Sequence, residues 1–237
     1  SIRLISGAAV LWLLLRLRSG QNTGEGNWVS ALALFVYAAG FSFAYVSLPT
    51  ATGALILFGA VQATMIGYGI WSGERLRRLQ VLGLLFALGG LVGLLLPGLA
   101  APPLGGSVLM LGAGVAWGIY SLRGKGSGDP TRVTAGNFLR AVPITVLLSV
   151  VVWSDVSLDV AGFWYAVGSG AAASGLGYAL WYQILPALRA TSAASLQLTV
   201  PVLAGVGGVL LLGEALSLRL VLASVAILGG VALVIRR

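Results

Sequence analysis

The side chains of greatest chemical interest in this sequence are polar groups that interrupt long apolar runs. Gln62 and Gln197 each lie in the middle of such a run, and Asn137 and Arg140 share one helix face near the start of another. A buried polar group without a partner costs free energy, so each needs a hydrogen bond to a neighbouring helix or a polar ligand. Both interpretations stay open for the glutamines, whereas Arg140 could bind an anionic group or extend to the lipid headgroups.

A proline and several aromatic residues extend this set. Pro201 follows Gln197 by four residues and lacks an N–H, which leaves the Gln197 carbonyl oxygen available as an acceptor. Tyr and Trp at span ends are typical of an interfacial belt, but Tyr178 and Trp181 lie deeper and on one face, so a cavity wall is equally open. The candidate cavity or substrate-binding residues are Gln62, Tyr37, Trp117, Tyr120, Asn137, Arg140, Tyr178, Trp181, Gln197 and Pro201.

The residue types needed for several kinds of catalysis are missing. The chain has no cysteine and no histidine, which removes disulfides, thiol nucleophiles and the usual zinc sites. Glu74 and Glu214 each follow a glycine at a span end, where a carboxylate suits the free N–H groups of the next helix. The sequence therefore predicts no enzyme activity, no metal and no cofactor. It also predicts no proton relay of the carboxylate or imidazole kind, since no acid lies within a predicted span.

The composition places these residues in lipid. Of 237 residues, 58% are hydrophobic and only 8% are charged, whereas soluble domains carry about 25% charged residues. The apolar runs have the length of helical spans, which excludes the short alternating strands of a membrane barrel. The predicted spans are 3–15, 28–48, 51–71, 80–97, 104–122, 135–153, 161–185, 191–212 and 218–235.

The basic residues predict the orientation of these spans. When successive loops alternate sides, all but two of the 14 Lys and Arg residues fall on one side, the exceptions being Arg3 and Arg219. The positive-inside rule makes the basic side cytoplasmic, so a multi-pass protein of the cell inner (plasma) membrane with a cytoplasmic C-terminus is predicted. The net charge of +8 is thereby explained as a topology signal, and nucleic acid is excluded as a partner.

The chain also contains an internal repeat. Gly73–Glu74 recurs 140 residues later as Gly213–Glu214, and Gly89–Gly90 recurs at the same spacing. The repeat predicts a first half over 1–100 with four spans and a second half over 101–237 with five. We therefore expect an all-α, inverted-repeat (5+5) helix bundle in which nine of ten helices are present and the first is missing. An odd number of spans per half inverts the second half relative to the first.

Short glycine motifs predict close helix packing. The spacings Gly89-xxx-Gly93 and Gly114-xxx-Gly118 are typical of helix surfaces that approach each other closely in membranes.

Several motifs along the chain together resemble one family. They are Ala116-Trp117-Gly118, Asn137-Phe138-Leu139-Arg140, Tyr178-Ala179-Leu180-Trp181-Tyr182 before Leu185-Pro186, Gln197 through Pro201, and Leu212-Gly213-Glu214 followed by Gly229-Gly230. In their order and spacing the chain resembles the EamA-type branch of the drug/metabolite transporter superfamily over essentially its whole length. It departs from the family pattern at Val61, where the first half often has the equivalent of Pro201.

This resemblance implies ten helices, both termini in the cytoplasm, and a central cavity lined by four helices of each half. We therefore expect a secondary transporter that exports or exchanges small metabolites or drugs by alternating access between two inverted repeats. The alternative is a non-transporting membrane partner or sensor protein. The expected partners are a small-molecule substrate and the lipid bilayer, and a homodimer is compatible with the pattern.

Overall fold

The architecture is known from a computed structural model, which describes residues 1–17, 25–96, 103–125, 128–153, 159–212 and 215–235. Helices account for most of these residues, and there is no strand among them. The helices are α1 (Ile2–Leu17), α2 (Trp28–Ala44), α3 (Thr50–Trp71), α4 (Arg78–Leu95), α5 (Leu104–Arg123), α6 (Pro130–Val151), α7 (Val160–Gly168), α8 (Gly177–Ile184), α9 (Ala190–Gln197), α10 (Thr199–Leu212) and α11 (Leu218–Ile235). Gly213 and Glu214, the second copy of the Gly-Glu pair, lie outside the described residues.

Each predicted span overlaps one or more of these helices, although α2 ends at Ala44, before the predicted end of its span at residue 48. Six segments within the described ranges are long and apolar enough to cross a membrane: α3, α4, α5, α6, α11 and the stretch Ala190–Leu210 through α9 and α10. In lipid, a helix satisfies its own backbone N–H and C=O groups, which is why apolar runs of this length form helices. The prediction of an all-α membrane protein is confirmed.

Two of the predicted spans contain an interruption that the apolar pattern did not reveal. Between α7 and α8 the chain continues as a π-helix over Ser169–Leu176, a segment made almost wholly of Ser, Gly and Ala. Between α9 and α10 the helix breaks at Leu198, three residues before Pro201. Proline at that position cannot donate to the Gln197 carbonyl oxygen, which accounts for the break.

The described helices form two compact units, and each draws on both halves of the sequence. Unit 1 comprises Ser1–Ala39 and Ile119–Ala187, and unit 2 comprises Gly40–Gly118 and Leu188–Arg237. In unit 1, α1 buries one face formed by Leu4, Gly7, Ala8, Leu11 and Leu15. That face packs on α6 and on the π-helix.

In unit 2, α4 and α11 lie antiparallel and in close contact. A Cβ at Gly83 would lie 2.6 Å from the Gly230 carbonyl oxygen, and one at Gly90 would lie 2.9 Å from the Ile227 side chain. Beside this contact, Ala87, Leu91, Leu198, Val202, Ile227 and Val231 form a buried apolar cluster. Small residues therefore let the two backbones approach, and larger ones fill the space alongside.

The predicted glycine motifs have different outcomes. Gly114 and Gly118 do mediate a close approach of α5 to α3, since a Cβ at Gly118 would lie 2.8 Å from the Thr64 side chain. The prediction for Gly89 and Gly93 is wrong, because no described atom lies within 4 Å of a Cβ built at either position. Both residues face outward on α4, and the packing face is one residue away, at Gly90.

The prediction that the Glu74 carboxylate bonds the free N–H groups at a helix start is correct in the type of contact, but it names the wrong helix. Its carboxylate accepts hydrogen bonds from the backbone N–H of Ala190 at 2.7 Å and of Thr191 at 3.2 Å, and from the Thr191 hydroxyl at 2.8 Å. These groups open α9, whereas the prediction placed the carboxylate on the helix that follows it in sequence, α4. A negative charge is favourable at this end of α9 because the first N–H groups of a helix lack internal partners.

A substitution at Gly83 should separate α4 from α11. We expect Gly83→Val to lower the stability of the protein by about 1–3 kcal/mol, because the new side chain overlaps backbone atoms of α11. Thermal unfolding of the purified protein in detergent measures the change. Gly89→Val is the matched control on the same helix and should unfold near the wild-type temperature, since the space beside Gly89 is open. Equal losses in both variants would contradict the assigned packing face.

Candidate functional site: an arginine among tyrosines

The polar centre of unit 1 is Arg3, on the first turn of α1. Its Nε donates a hydrogen bond to the Ser174 hydroxyl at 2.8 Å, and its Nη2 donates to the Tyr178 hydroxyl at 3.4 Å. The guanidinium carbon lies 5.8 Å from the centroid of the Tyr37 ring, within the range of a cation–π contact. We call Arg3, Tyr37, Ser174 and Tyr178 the Arg3 cluster.

The π-helix between α7 and α8 positions the Arg3 cluster. It carries Ser174 on its buried side, and a Cβ at Gly170 would overlap the Arg3 carbonyl oxygen. The absence of a side chain at Gly170 therefore allows α1 to approach the π-helix closely enough for Arg3 to contact Ser174. Such local widening of a helix often occurs at functional sites because it redirects side chains.

Aromatic packing fixes the tyrosine of α8. The ring of Tyr178 meets the ring of Phe138 edge to face, with centroids 5.8 Å apart. Phe138 in turn packs against α1, because a Cβ at Gly7 would lie 2.6 Å from its ring. The Tyr178 hydroxyl is consequently held beside Arg3 by contacts with α1 and α6.

The Arg3 cluster has the chemistry of an anion-binding site. Ser174, Tyr178 and Tyr37, which contact the guanidinium, are neutral and present two hydroxyls and an aromatic face to it. A guanidinium presents five N–H donors in a planar fork that matches a carboxylate or phosphate, and such bonds are strong where water is scarce. The neighbouring hydroxyls can donate to the same ligand.

A second group in unit 1 surrounds a cavity of about 10 Å³ lined in part by Tyr120, Asn137 and Tyr182. The rings of Tyr120 and Tyr182 meet edge to face at 5.2 Å, and the Asn137 Oδ1 accepts from the Asn27 N–H at 2.9 Å. A space of this size holds about one water molecule. In this conformation Tyr120 and Asn137 therefore take part in helix packing.

Two other predicted residues of unit 1 lie apart from both groups. The Arg140 Nη1 donates to the carbonyl oxygens of Gly136 at 3.0 Å and of Glu25 at 3.2 Å, so it holds the segment that precedes α2. Trp181 is half-buried on α8, and its indole Nε1 is buried without a hydrogen-bond partner among the described residues.

The remaining predicted residues lie in unit 2, where a chain of hydrogen bonds links three helices. The Trp117 indole N–H on α5 donates to the Gln197 side-chain oxygen on α9, and the Gln197 amide donates to the Met65 sulfur on α3 at 3.2 Å. Pro201 is half-buried on α10. These contacts connect α3, α5 and α9 through the side chain of Gln197.

Gln62 makes the helix–helix contact that was one of its two predicted roles. Its Nε2 donates to the Ala194 carbonyl oxygen at 2.6 Å. Its Oε1 is buried, and no described group donates to it. Because a buried acceptor without a donor is costly, this oxygen is available to a water molecule or a ligand donor.

The predicted residues thus divide between the two units, and the Arg3 cluster contains Tyr37 and Tyr178 from the predicted set around a centre, Arg3, that was not among the candidates. Arg3 was recognisable as a charge in a predicted span, whereas nothing in the run Ser169–Leu176 distinguishes Ser174. Within the part of the chain that the structure describes, no group of three acidic, His or Cys residues could hold a metal ion.

Comparison with known proteins agrees with this architecture. A family model described as the EamA-like transporter family matches residues 104–236. The uncharacterized protein PA1977 of Pseudomonas aeruginosa is 56% identical over 236 residues, which cover 99% of this chain and 82% of that protein. A protein of known crystal structure superposes with a TM-score of 0.83 at 22% identity, over 99% of this chain and 85% of that one, which shows a shared fold. The chain belongs to the EamA-like transporter family.

Proposed function

We propose that this protein is a secondary transporter that exports or exchanges small metabolites or drugs across the cytoplasmic membrane. Its family membership and its helical membrane fold support this function. The observation that carries the proposal is the Arg3 cluster, a charged guanidinium held by hydroxyls and an aromatic ring inside a helical membrane protein. Ionisable groups in such places are expensive to maintain and mark substrate pathways.

The Arg3 cluster would bind the anionic end of the substrate. A carboxylate facing the guanidinium would gain charge-assisted hydrogen bonds, while Tyr37 and Tyr178 would contact the adjoining apolar part. Two further candidates for substrate contact are the Gln62 side-chain oxygen, to which no described group donates, and the Gln197 side chain that bonds Trp117. Alternating access between two inverted repeats is the proposed mechanism, and the repeated Gly-Glu and Gly-Gly pairs of the sequence support it.

The charge distribution supports a cytoplasmic C-terminus, because all but two of the basic residues fall on one side of the predicted spans. A homodimer stays a prediction.

Uptake into liposomes tests the proposed function. The full-length protein is reconstituted into liposomes preloaded with unlabelled amino acids, nucleosides or sugars, and uptake of the same radiolabelled compounds is measured. We expect exchange above protein-free liposomes for at least one class. Absence of exchange for every class, with protein shown to be folded by its unfolding transition, would contradict transport.

The same liposomes test whether transport is coupled to a proton gradient. No acidic residue lies within a predicted span and the chain has no histidine, so we expect uptake to proceed at a similar rate with and without a pH gradient. A protonophore, which collapses the gradient, serves as the control. If uptake with the gradient were much faster than uptake with the protonophore present, protons would drive transport and the predicted absence of a relay would be wrong.

A further inference from the structure

A basic pocket lies in unit 2, beside the loop that joins α3 to α4. It is a depression of about 530 Å³, and three arginines contribute to its lining: Arg75 and Arg77 from the loop, and Arg189 from the start of α9. All three are exposed. We call this depression the arginine pocket.

The Glu74 carboxylate brings the three arginines together because it is bonded to the first residues of α9. Glu74 accepts hydrogen bonds from the backbone N–H of Ala190 and from the Thr191 hydroxyl. These bonds hold residue 74 against the first turn of α9, and Arg189 precedes that turn directly. At the other end of the loop, Gly73 has a φ of +92°, which turns the chain away from α3.

The arginine pocket carries an excess of positive charge. Three arginines and one glutamate belong to its lining, and the glutamate carboxylate is bonded to the start of α9. Guanidinium groups that lie close together repel one another, and a doubly charged anion between them replaces that repulsion with charge-assisted hydrogen bonds. The geometry therefore fits a phosphate-bearing ligand better than a neutral one.

The position of the pocket along α3 indicates the source of the phosphate. Trp71, the last residue of α3, is 84% exposed, and Tyr68 one turn earlier is 45% exposed, with ring centroids 6.0 Å apart. Exposed Trp and Tyr at the end of a membrane helix lie at the level of the lipid headgroups. The loop that begins at Ser72 consequently lies at the depth where lipid phosphates are abundant.

We propose that the arginine pocket binds the headgroup of an anionic phospholipid, with the phosphate oxygens facing Arg75, Arg77 and Arg189. A headgroup with two phosphates, such as that of cardiolipin, matches the charge of the pocket most closely. Bound lipid would then connect the α3–α4 loop to the start of α9. This site is separate from the Arg3 cluster and does not depend on transport.

Lipid binding to the full-length protein tests the proposal. Native mass spectrometry measures retention of cardiolipin by the wild type and by a triple variant, Arg75→Gln with Arg77→Gln and Arg189→Gln. Since each basic residue near a membrane surface strengthens anionic lipid binding by about fivefold, we expect the triple variant to bind cardiolipin at least about tenfold more weakly. Phosphatidylcholine should bind to neither protein appreciably.

Control variants distinguish the loss of the pocket arginines from a general loss of positive charge. The variant Arg16→Gln with Arg78→Gln and Arg132→Gln loses the same charge outside the pocket and should bind as the wild type does. Replacing the three pocket arginines by lysine keeps the charge and should preserve most of the binding, which guards against misfolding as an explanation. Equal losses in the pocket and control variants would overturn the proposal. So would displacement of cardiolipin by an equal concentration of pyrophosphate, which would identify a site for soluble phosphates.

Discussion

Arg3→Gln is expected to lower the rate of substrate exchange at low substrate concentration by about tenfold to a hundredfold. Hydrogen bonds to a charged group contribute about 1.5–3 kcal/mol, and each 1.4 kcal/mol corresponds to about a factor of ten. The variant keeps a side chain that can bond Ser174 but loses the charge that would bind a carboxylate. The measurement is kcat/KM for a radiolabelled compound that the wild type transports in liposomes.

Two further variants identify the cause of the loss. Arg3→Lys keeps the charge but lacks the planar fork that reaches both Ser174 and Tyr178, so its kcat/KM should lie between those of the wild type and Arg3→Gln. Arg16→Gln removes a guanidinium at the other end of α1, where it lies over the Trp12 ring, and should leave exchange unchanged. Wild-type exchange by Arg3→Gln would exclude the Arg3 cluster as a substrate site.

The helices of this protein could be predicted from sequence because the membrane leaves few alternatives. An apolar run that crosses lipid must satisfy its backbone internally, so its length alone fixes a helix. The predicted span 218–235 coincides with α11, and the predicted first span 3–15 lies within α1. Breaks that depend on local backbone bonding were harder to predict. Pro201 pointed to the one at Leu198, whereas nothing pointed to the π-helix.

The candidate site depends on contacts that a sequence pattern does not contain. Arg3 meets Ser174 and Tyr178 across 171 and 175 residues of chain, and the approach requires that Gly170 carry no side chain. The polar residues chosen from the sequence were in part engaged elsewhere, as the Gln62 amide is with Ala194. Residue type indicates that a polar group needs a partner, but the fold decides which one it finds.

The compact units add a feature that the repeat did not predict. Each unit combines helices from 1–100 and from 101–237. A repeat is defined by sequence correspondence and a compact unit by contacts, so the two divisions describe different properties of the chain. In unit 1 the consequence is direct, because the Arg3 cluster takes Arg3 and Tyr37 from the first half and Ser174 and Tyr178 from the second.

Among single Gly→Ala substitutions in α7 and the π-helix, Gly170→Ala should disrupt the Arg3 cluster most. The new Cβ would overlap the Arg3 carbonyl oxygen and the Ser6 hydroxyl. The hydroxyl can rotate away, but the carbonyl belongs to the backbone of α1, so the helix itself must move. We expect a loss of about 1–3 kcal/mol, measured as a fall of about 2–12 °C in Tm in detergent.

The displacement of α1 should also separate Arg3 from Ser174, so substrate exchange by Gly170→Ala should fall even at temperatures where the variant remains folded. Gly168→Ala is the matched control two residues earlier, where no described atom lies within 4 Å of the new Cβ. Alanine is a better helix former than glycine, so this control should keep or slightly raise Tm and leave exchange intact. If both variants unfolded at the wild-type temperature, α1 would have room beside the π-helix, and the position of Arg3 would not depend on Gly170.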